Sequence, residues 1–265
     1  TTPATATLVK PTEPVKVEPW FTVLNPLSFD MLPAQIWHVM DGSAEMVYST
    51  QPIRATDPDL PTDVRAQLEA ATANPDGMVF SVGLNAVGLS HSRTQMAWLQ
   101  TYGWCQNPLE ERGCIAFTYL KVAEVTPFKV VVEQRIDDAD GYELSWSPDD
   151  QLVALRRNPE ASNAQGEVQA PTLALVDHMT GDVIGAGPAY TASWCGRGRT
   201  LVRLSDQGLG MISDLPPSGT VRSYPKAVFY GIQAMACSPS SPVVALAADT
   251  QEDADHHRRP IYLLD

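Results

Sequence analysis

The feature that most constrains this chain is a hairpin-like segment that recurs. Residues 142–155, 191–204 and 233–246 line up, and residues 87–99 form a looser copy with a shorter turn. The position of Trp146 recurs at Trp194, 48 residues on, and at Ala236, 42 residues further. The looser copy places His91 there, 55 residues before Trp146. Each copy is a short strand-like run, a turn such as Ser147-Pro148-Asp149-Asp150 or Gly196-Arg197-Gly198, and a second apolar run. Those turn residues supply the tight bends and positive φ that hairpins need.

Repeats of about 40–50 residues belong either to propeller blades or to helical solenoids. Helical repeats carry apolar residues at period 3.6 over ten or more positions, and these segments do not. Further strand-like runs follow each hairpin: 114–120, 172–177, 209–214 and 260–265, with 35–41 near the start and outer candidates at 128–133 and 183–185. Four antiparallel strands per repeat is the make-up of a blade. The fold class expected is therefore all-β, a β-propeller of four-stranded antiparallel blades. About five blades are expected, in an incomplete or closed ring, with one short inserted helix.

The run 144–154 (Leu-Ser-Trp-Ser-Pro-Asp-Asp-Gln-Leu-Val-Ala) resembles the blade motif of TolB-like and WD40-like bacterial propellers. The run 173–182 resembles the strand and turn that follow it. The resemblance covers residues 78–265 and implies a fold. It implies little function, because such propellers serve as scaffolds, substrate gates and accessory domains of enzymes.

Residues 1–18 are rich in Thr, Ala and Pro and read as an extended linker, with the propeller domain spanning 19–265. Residues 60–71 read as a helix inserted near 60–72, with Pro61 near its first turn and Val64, Leu68 and Ala71 on one face. Closing the ring would need residues 19–24 to supply a missing outer strand to the last blade.

The opening segment suits an exported chain, periplasmic, cell-surface or secreted, anchored through residues ahead of it. No apolar run approaches the roughly 20 residues of a membrane-spanning helix. A formal charge of -13 repels phosphate backbones and argues against nucleic acid as a partner.

Cys105 and Cys114 bracket eight residues that read as the loop between two antiparallel strands. A disulfide there is geometrically easy, against the alternative of two free thiols. Cys195 and Cys237 read as equivalent positions of neighbouring blades, too far apart to bridge, and so as buried small hydrophobes. A second bridge needs irregular blades. No Cys-x-x-Cys occurs, and no histidine pair has the spacing of a helical zinc site, so no metal or cofactor is expected. Residues 137–141 match half a calcium loop without its distal Glu and read as a turn. Residues 88–92 lack the final Gly and the following helix of a nucleophile elbow.

Two functions remain. The first is a non-catalytic, extracytoplasmic propeller that binds protein partners or scaffolds a multi-subunit, membrane-associated assembly. Its contact surface would be two loops, one with Trp104, Leu109, Glu110 and Arg112 and the other with Asp255, His256 and Arg258. The second is a ligand- or metal-binding propeller, or a propeller accessory to a hydrolase, with His91 and His256 as its strongest candidates.

Overall fold

The computed structural model describes residues 20–24, 34–40, 43–50, 53–54, 56–58, 60–71, 79–107, 112–136, 139–157, 170–196, 200–205, 208–213, 220–225, 231–238, 240–241, 243–249 and 261–264, and the structural statements below concern these. They form five antiparallel sheets in chain order. The first holds β1 (Trp20–Leu24), β2 (Gln35–Met40) and β3 (Ser43–Ser49). The second holds β4 (Ile53–Arg54), β5 (Val79–Leu89), β6 (Gln95–Asn107), β7 (Arg112–Val125) and β8 (Phe128–Arg135), and helix α1 (Thr62–Ala71) lies between β4 and β5 in sequence. The third is β9 (Ala139–Trp146), β10 (Leu152–Arg157), β11 (Thr172–Asp177) and β12 (Val183–Pro188). The fourth is β13 (Thr191–Cys195), β14 (Thr200–Ser205), β15 (Gly208–Ser213) and β16 (Thr220–Pro225). The fifth is β17 (Gly231–Cys237), β18 (Val244–Asp249) and β19 (Ile261–Leu264).

Side-chain alternation explains how the sheets stack. Successive residues of a strand point to opposite faces, so a sheet buried on both faces needs apolar residues at every position. Leu152–Leu155 of β10 and Leu173–Val176 of β11 are buried without a break. Val153, Leu155, Ala174 and Val176 pack on Ala97, Leu99, Leu120 and Val122 of the second sheet. The intervening Leu152, Ala154, Leu173 and Leu175 pack on Ala189 and Leu201 toward the fourth. The second sheet is sandwiched in the same way. Met96 and Trp98 pack with Ile36 of the first sheet and with Ala34 just before β2, while their neighbours Ala97 and Leu99 face the third. Face-to-face stacking of small antiparallel sheets in chain order is the propeller arrangement.

The inner strands β5, β9, β13 and β17 carry the repeat, and the structure corrects its alignment. Trp146 pairs with Val153, Trp194 with Leu201, Cys237 with Val244 and Leu89 with Met96, each pair seven residues apart. The tryptophan position is thus filled by Leu89 and Cys237, not by His91 and Ala236. The looser copy is no shorter in its turn. Ser90 and Ser147 open equivalent turns, with Arg93 and Asp150 both at positive φ (60° and 56°). Trp146 Nε1 donates to Gly88 O at 3.0 Å and Trp194 Nε1 to Ser145 O at 3.4 Å, in each case the carbonyl just before the equivalent position of the preceding sheet. Cys237 Sγ likewise lies 3.8 Å from Ser193 O.

This register overturns the expectation for Cys195 and Cys237, which form a disulfide with Cα atoms 4.9 Å apart. The two are not equivalent. Cys237 shares the position of Trp194, which points back toward the preceding sheet, and Cys195 is one residue further along. An offset of one residue turns a side chain to the other face, so Cys195 points forward and meets Cys237 pointing back. Gly196 N donates to Ser238 O at 2.8 Å beside the bridge.

Of the two expected arrangements, a closed ring and an incomplete one, the described sheets form the open one. Residues Trp20–Leu24 pair with β2, from Trp20↔Val39 to Leu24↔Gln35, and not with the fifth sheet. The partner nearer in sequence wins, as loop-closure entropy favours. The five sheets are not closed into a ring by strand pairing among the described residues.

Helix α1 follows Pro61 and carries Asp63 in its first turn, where a carboxylate suits the helix dipole. Leu60 and Val64 are buried against Val82, Tyr102, Phe117 and Tyr119. The side chains of Leu68 and Ala71 lie outside the described residues. Asp63 accepts from Tyr119 Oη at 2.6 Å and from Arg135 Nη1 at 2.9 Å, and the Arg135 guanidinium lies over the Phe117 ring. Burial raises the Asp63 pKa, but the hydrogen bonds from Tyr119 and Arg135 and the charge of the latter outweigh it, so the net shift is downward. The Tyr119 phenol is pushed up by burial and by the carboxylate it serves.

Candidate functional site

Among the concave regions that the described residues line, two bring polar side chains together. The first lies among the inner strands, where Gly88, Leu144, Trp146, Ser193 and Trp194 line a cavity of about 330 Å³. Gly88 allows its close approach: a Cβ there would sit 2.7 Å from Leu144 Cδ2 and 3.6 Å from Trp146 Cδ1. His91 stands on its rim, 57% exposed at the side chain rather than in the core. Asp150, from the next turn, ties this rim together. It accepts from the backbone N–H of His91 (2.6 Å) and of Ser92 (2.8 Å), and His91 Nδ1 lies 3.3 Å from it. Burial raises the Asp150 pKa, yet these hydrogen bonds outweigh it and hold the carboxyl below its usual range. The histidine ring therefore addresses Asp150, while Ser90 Oγ accepts from Gln95 N at 3.1 Å within its own turn. This is turn architecture, with no serine–histidine couple at its centre.

The second region lies between the first and second sheets. Tyr48, Thr50, Gln100, Tyr102, Lys121 and Glu133 line a cavity of about 450 Å³. Trp98, Tyr48 and Phe128 cluster beside it, with Tyr48 and Trp98 ring centroids 5.1 Å apart. Gln100 is buried, and its carbonyl accepts from Tyr48 Oη (2.7 Å) and more distantly from Trp98 Nε1 (3.5 Å). Its amide donates to Tyr102 Oη at 2.8 Å. Lys121 is buried and its Nζ lies 3.2 Å from Glu133 Oε2. Buried charge is costly unless paired, and this pair meets that condition. Nothing in the sequence marks this network, because its members come from four strands and their spacing has no motif.

The residues predicted to form the partner surface stand differently. Cys105 and Cys114 face each other across β6 and β7 in direct register, but their side chains, with those of Trp104 and Arg112, lie outside the described residues. Leu109, Glu110, Asp255, His256 and Arg258 lie outside them altogether, as do Asp137 and Asp138. What the structure does describe is the ribbon that carries the first loop. The pairing of β5 on β6 ends at Ser81↔Gly103 and that of β8 on β7 at Tyr119↔Arg135. β6 and β7 stay paired through Trp104↔Ile115 and Cys105↔Cys114 to Asn107↔Arg112. At about 3.4 Å per residue, the two-stranded ribbon runs roughly 14 Å past Gly103, the last residue of β6 paired with β5.

Among the described residues no three His, Cys, Asp or Glu side chains converge as metal ligands, and no helix is long and apolar enough to cross a membrane. No family model matches the chain. No curated protein matches it either. Solved structures to which it is similar include the hydrazine synthase of Kuenenia stuttgartiensis (12% identity, TM-score 0.46, 89% of this chain and 66% of that one). Others are prolyl oligopeptidase B from Galerina marginata (10%, 0.45, 93% and 37%) and TolB from Acinetobacter baumannii (11%, 0.38, 92% and 49%). The chain thus spans between 37% and 66% of the length of these proteins.

Proposed function

We propose that this chain is a non-catalytic, extracytoplasmic propeller that binds protein partners as a subunit of a larger, membrane-associated assembly. The observation that supports it most is the β6–β7 ribbon. The stack of sheets holds a two-stranded ribbon with Trp104 in its first pair past Gly103 and Arg112 in its last. Leu109 and Glu110 lie in the sequence between its strands, and aromatic and arginine side chains are the residues that anchor protein interfaces. In this reading Cys105 and Cys114, opposite in register, staple the ribbon and lower the entropy lost on docking. The disulfide between the fourth and fifth sheets supports an oxidising compartment.

The test replaces residues 104–115 by an Asn-Gly turn and, separately, Trp104 by Ala. A photoreactive amino acid at Leu109 should cross-link the full chain to one discrete protein in native envelope extracts. Trp104→Ala should weaken that capture about tenfold or more, with melting temperature and far-ultraviolet circular dichroism unchanged. If the shortened chain retains the full native complex, the ribbon reading fails.

A further inference from the structure

We propose that the cavity between the first and second sheets is a binding site for a neutral, polyhydroxylated ligand of the saccharide class. The reading is independent of the ribbon. Its size, about 450 Å³, lies within the range of small-molecule sites. Such sites combine apolar walls with a few fixed polar groups. Here Ile53 and Val82 supply apolar wall, and Tyr48 supplies both an aromatic ring and a hydroxyl.

The polar groups decide the class. Lys121 and Glu133 neutralise each other at 3.2 Å, so an ionic ligand would find no uncompensated charge. Their contact nevertheless places N–H donors beside carboxylate acceptors at hydrogen-bond spacing. A vicinal diol matches that arrangement: one hydroxyl accepts from Lys121 Nζ, the other donates to Glu133, and the pair need not separate. Behind this pair the buried Gln100 and Tyr102 hold the Tyr48 hydroxyl in place at the cavity wall. Hydroxyls that both donate and accept suit such a wall; a simple anion, cation or hydrocarbon does not. The Gln100 side chain is fixed at both ends, so the wall is pre-organised and little is lost in ordering it.

Isothermal titration of the full chain with glucose, galactose, N-acetylglucosamine and their disaccharides maltose, lactose and chitobiose tests this. At least one should bind saturably with one-to-one stoichiometry. Glu133→Gln, which removes the charged acceptor, should weaken it tenfold or more, and Tyr48→Phe threefold or more. Ile53→Trp, which fills the cavity, should abolish it. No saturable binding by any of the six overturns the proposal, as does binding that all three variants leave unchanged. Binding of a free amino acid with none of the sugars overturns the ligand class. Should the variants not fold, hydrogen exchange on the wild type decides. Sugar-induced protection around Tyr48 and Gln100 upholds the site, and protection confined elsewhere refutes it.

Discussion

Cutting the disulfide between Cys195 and Cys237 tests how the sheets face one another. The bridge closes 42 residues of chain, which in the chain-entropy description corresponds to about 13 cal/mol/K, or about 4 kcal/mol at room temperature. For a chain of 265 residues unfolding as one unit, with about 2.1 cal/mol/K per residue, that lowers the melting temperature by roughly 7 °C. The loss should not be spread evenly. Among the described residues the apolar cluster joining the fourth and fifth sheets includes Cys195, Val202, Val244 and Leu246, and two of those sit at or across from the bridge. The bridge ties the first strand of the fifth sheet covalently to the fourth, so cutting it should let the fifth sheet detach first. Calorimetry of oxidised and reduced wild type, and of the Cys195→Ala/Cys237→Ala variant, gives the magnitude; hydrogen exchange gives the place. Alanine is used at Cys195 because the site is buried and a serine hydroxyl there would add its own cost. A melting temperature shifted by less than about 2 °C, with amide protection in β17–β19 unchanged, would refute the reasoning, because the bridge would then constrain nothing. Recovery of a Cys195–Cys237 peptide on non-reducing mapping is the prerequisite.

Asp63→Asn should destabilise the chain by about 1–2 kcal/mol, a figure already reduced for the exposure of this carboxylate, and should loosen α1 first by hydrogen exchange. Asp63, Asp150 and Asp177 all have native pKa values below the ordinary 3.8, so their contribution is complete above that pH and is lost as pH falls through the lowered values. Thermal melts from pH 6 to 2 should show a decline confined to the region below about pH 4, shallower in Asp63→Asn. Trp146→Phe should cost about 1 kcal/mol through the Gly88 carbonyl left without its partner, and Trp146→Ala about 3–5 kcal/mol through the cavity, both read by denaturant titration. Asp150→Ala should be worse than Asp150→Asn by about 1 kcal/mol or more, since asparagine tolerates the positive φ and still accepts from His91 and Ser92.

Much of the fold was legible because the sheets are buried on both faces. The apolar runs Leu152–Leu155 and Leu173–Val176 are short and flanked by turns at Ser147–Asp150 and Asp177–Gly181, and that shortness separates them from a buried helix. The alignment slipped by one residue at Ala236 because that sequence gives no tryptophan to anchor it. The pair Ser238-Pro239, matching Ser147-Pro148, places Cys237 under Trp146. It slipped by two at His91 because a second serine, Ser92, competes with Ser90 for the turn. The cavity network was illegible for a different reason. Tyr48, Gln100, Lys121 and Glu133 occupy ordinary strand positions, and only the stacking of two sheets brings them together.

The one-residue slip shows what separates a repeat from a structure. Shifting an alignment by one leaves the period almost unchanged and the list of strands intact, yet it reverses the face of every side chain it moves. Set in the correct register, the inner strands gain a direction: the residue at the tryptophan position reaches back to the preceding strand's carbonyl, and the next residue faces forward. A cysteine at the first position therefore bridges only to a cysteine at the second position of the sheet before it, which is the pairing of Cys237 with Cys195. The rule can be tested elsewhere in this chain. Leu144 and Trp146 of β9 both crowd Gly88 of β5, two residues apart and on the same backward face. A cysteine pair built at Ser147 and Trp194, the positions equivalent to Cys195 and Cys237, should close spontaneously in oxidising buffer. A pair at Trp146 and Trp194, both backward, should remain as two thiols under the same conditions. If the second pair closes as readily as the first, the faces are wrongly assigned and the explanation of the native bridge falls with them.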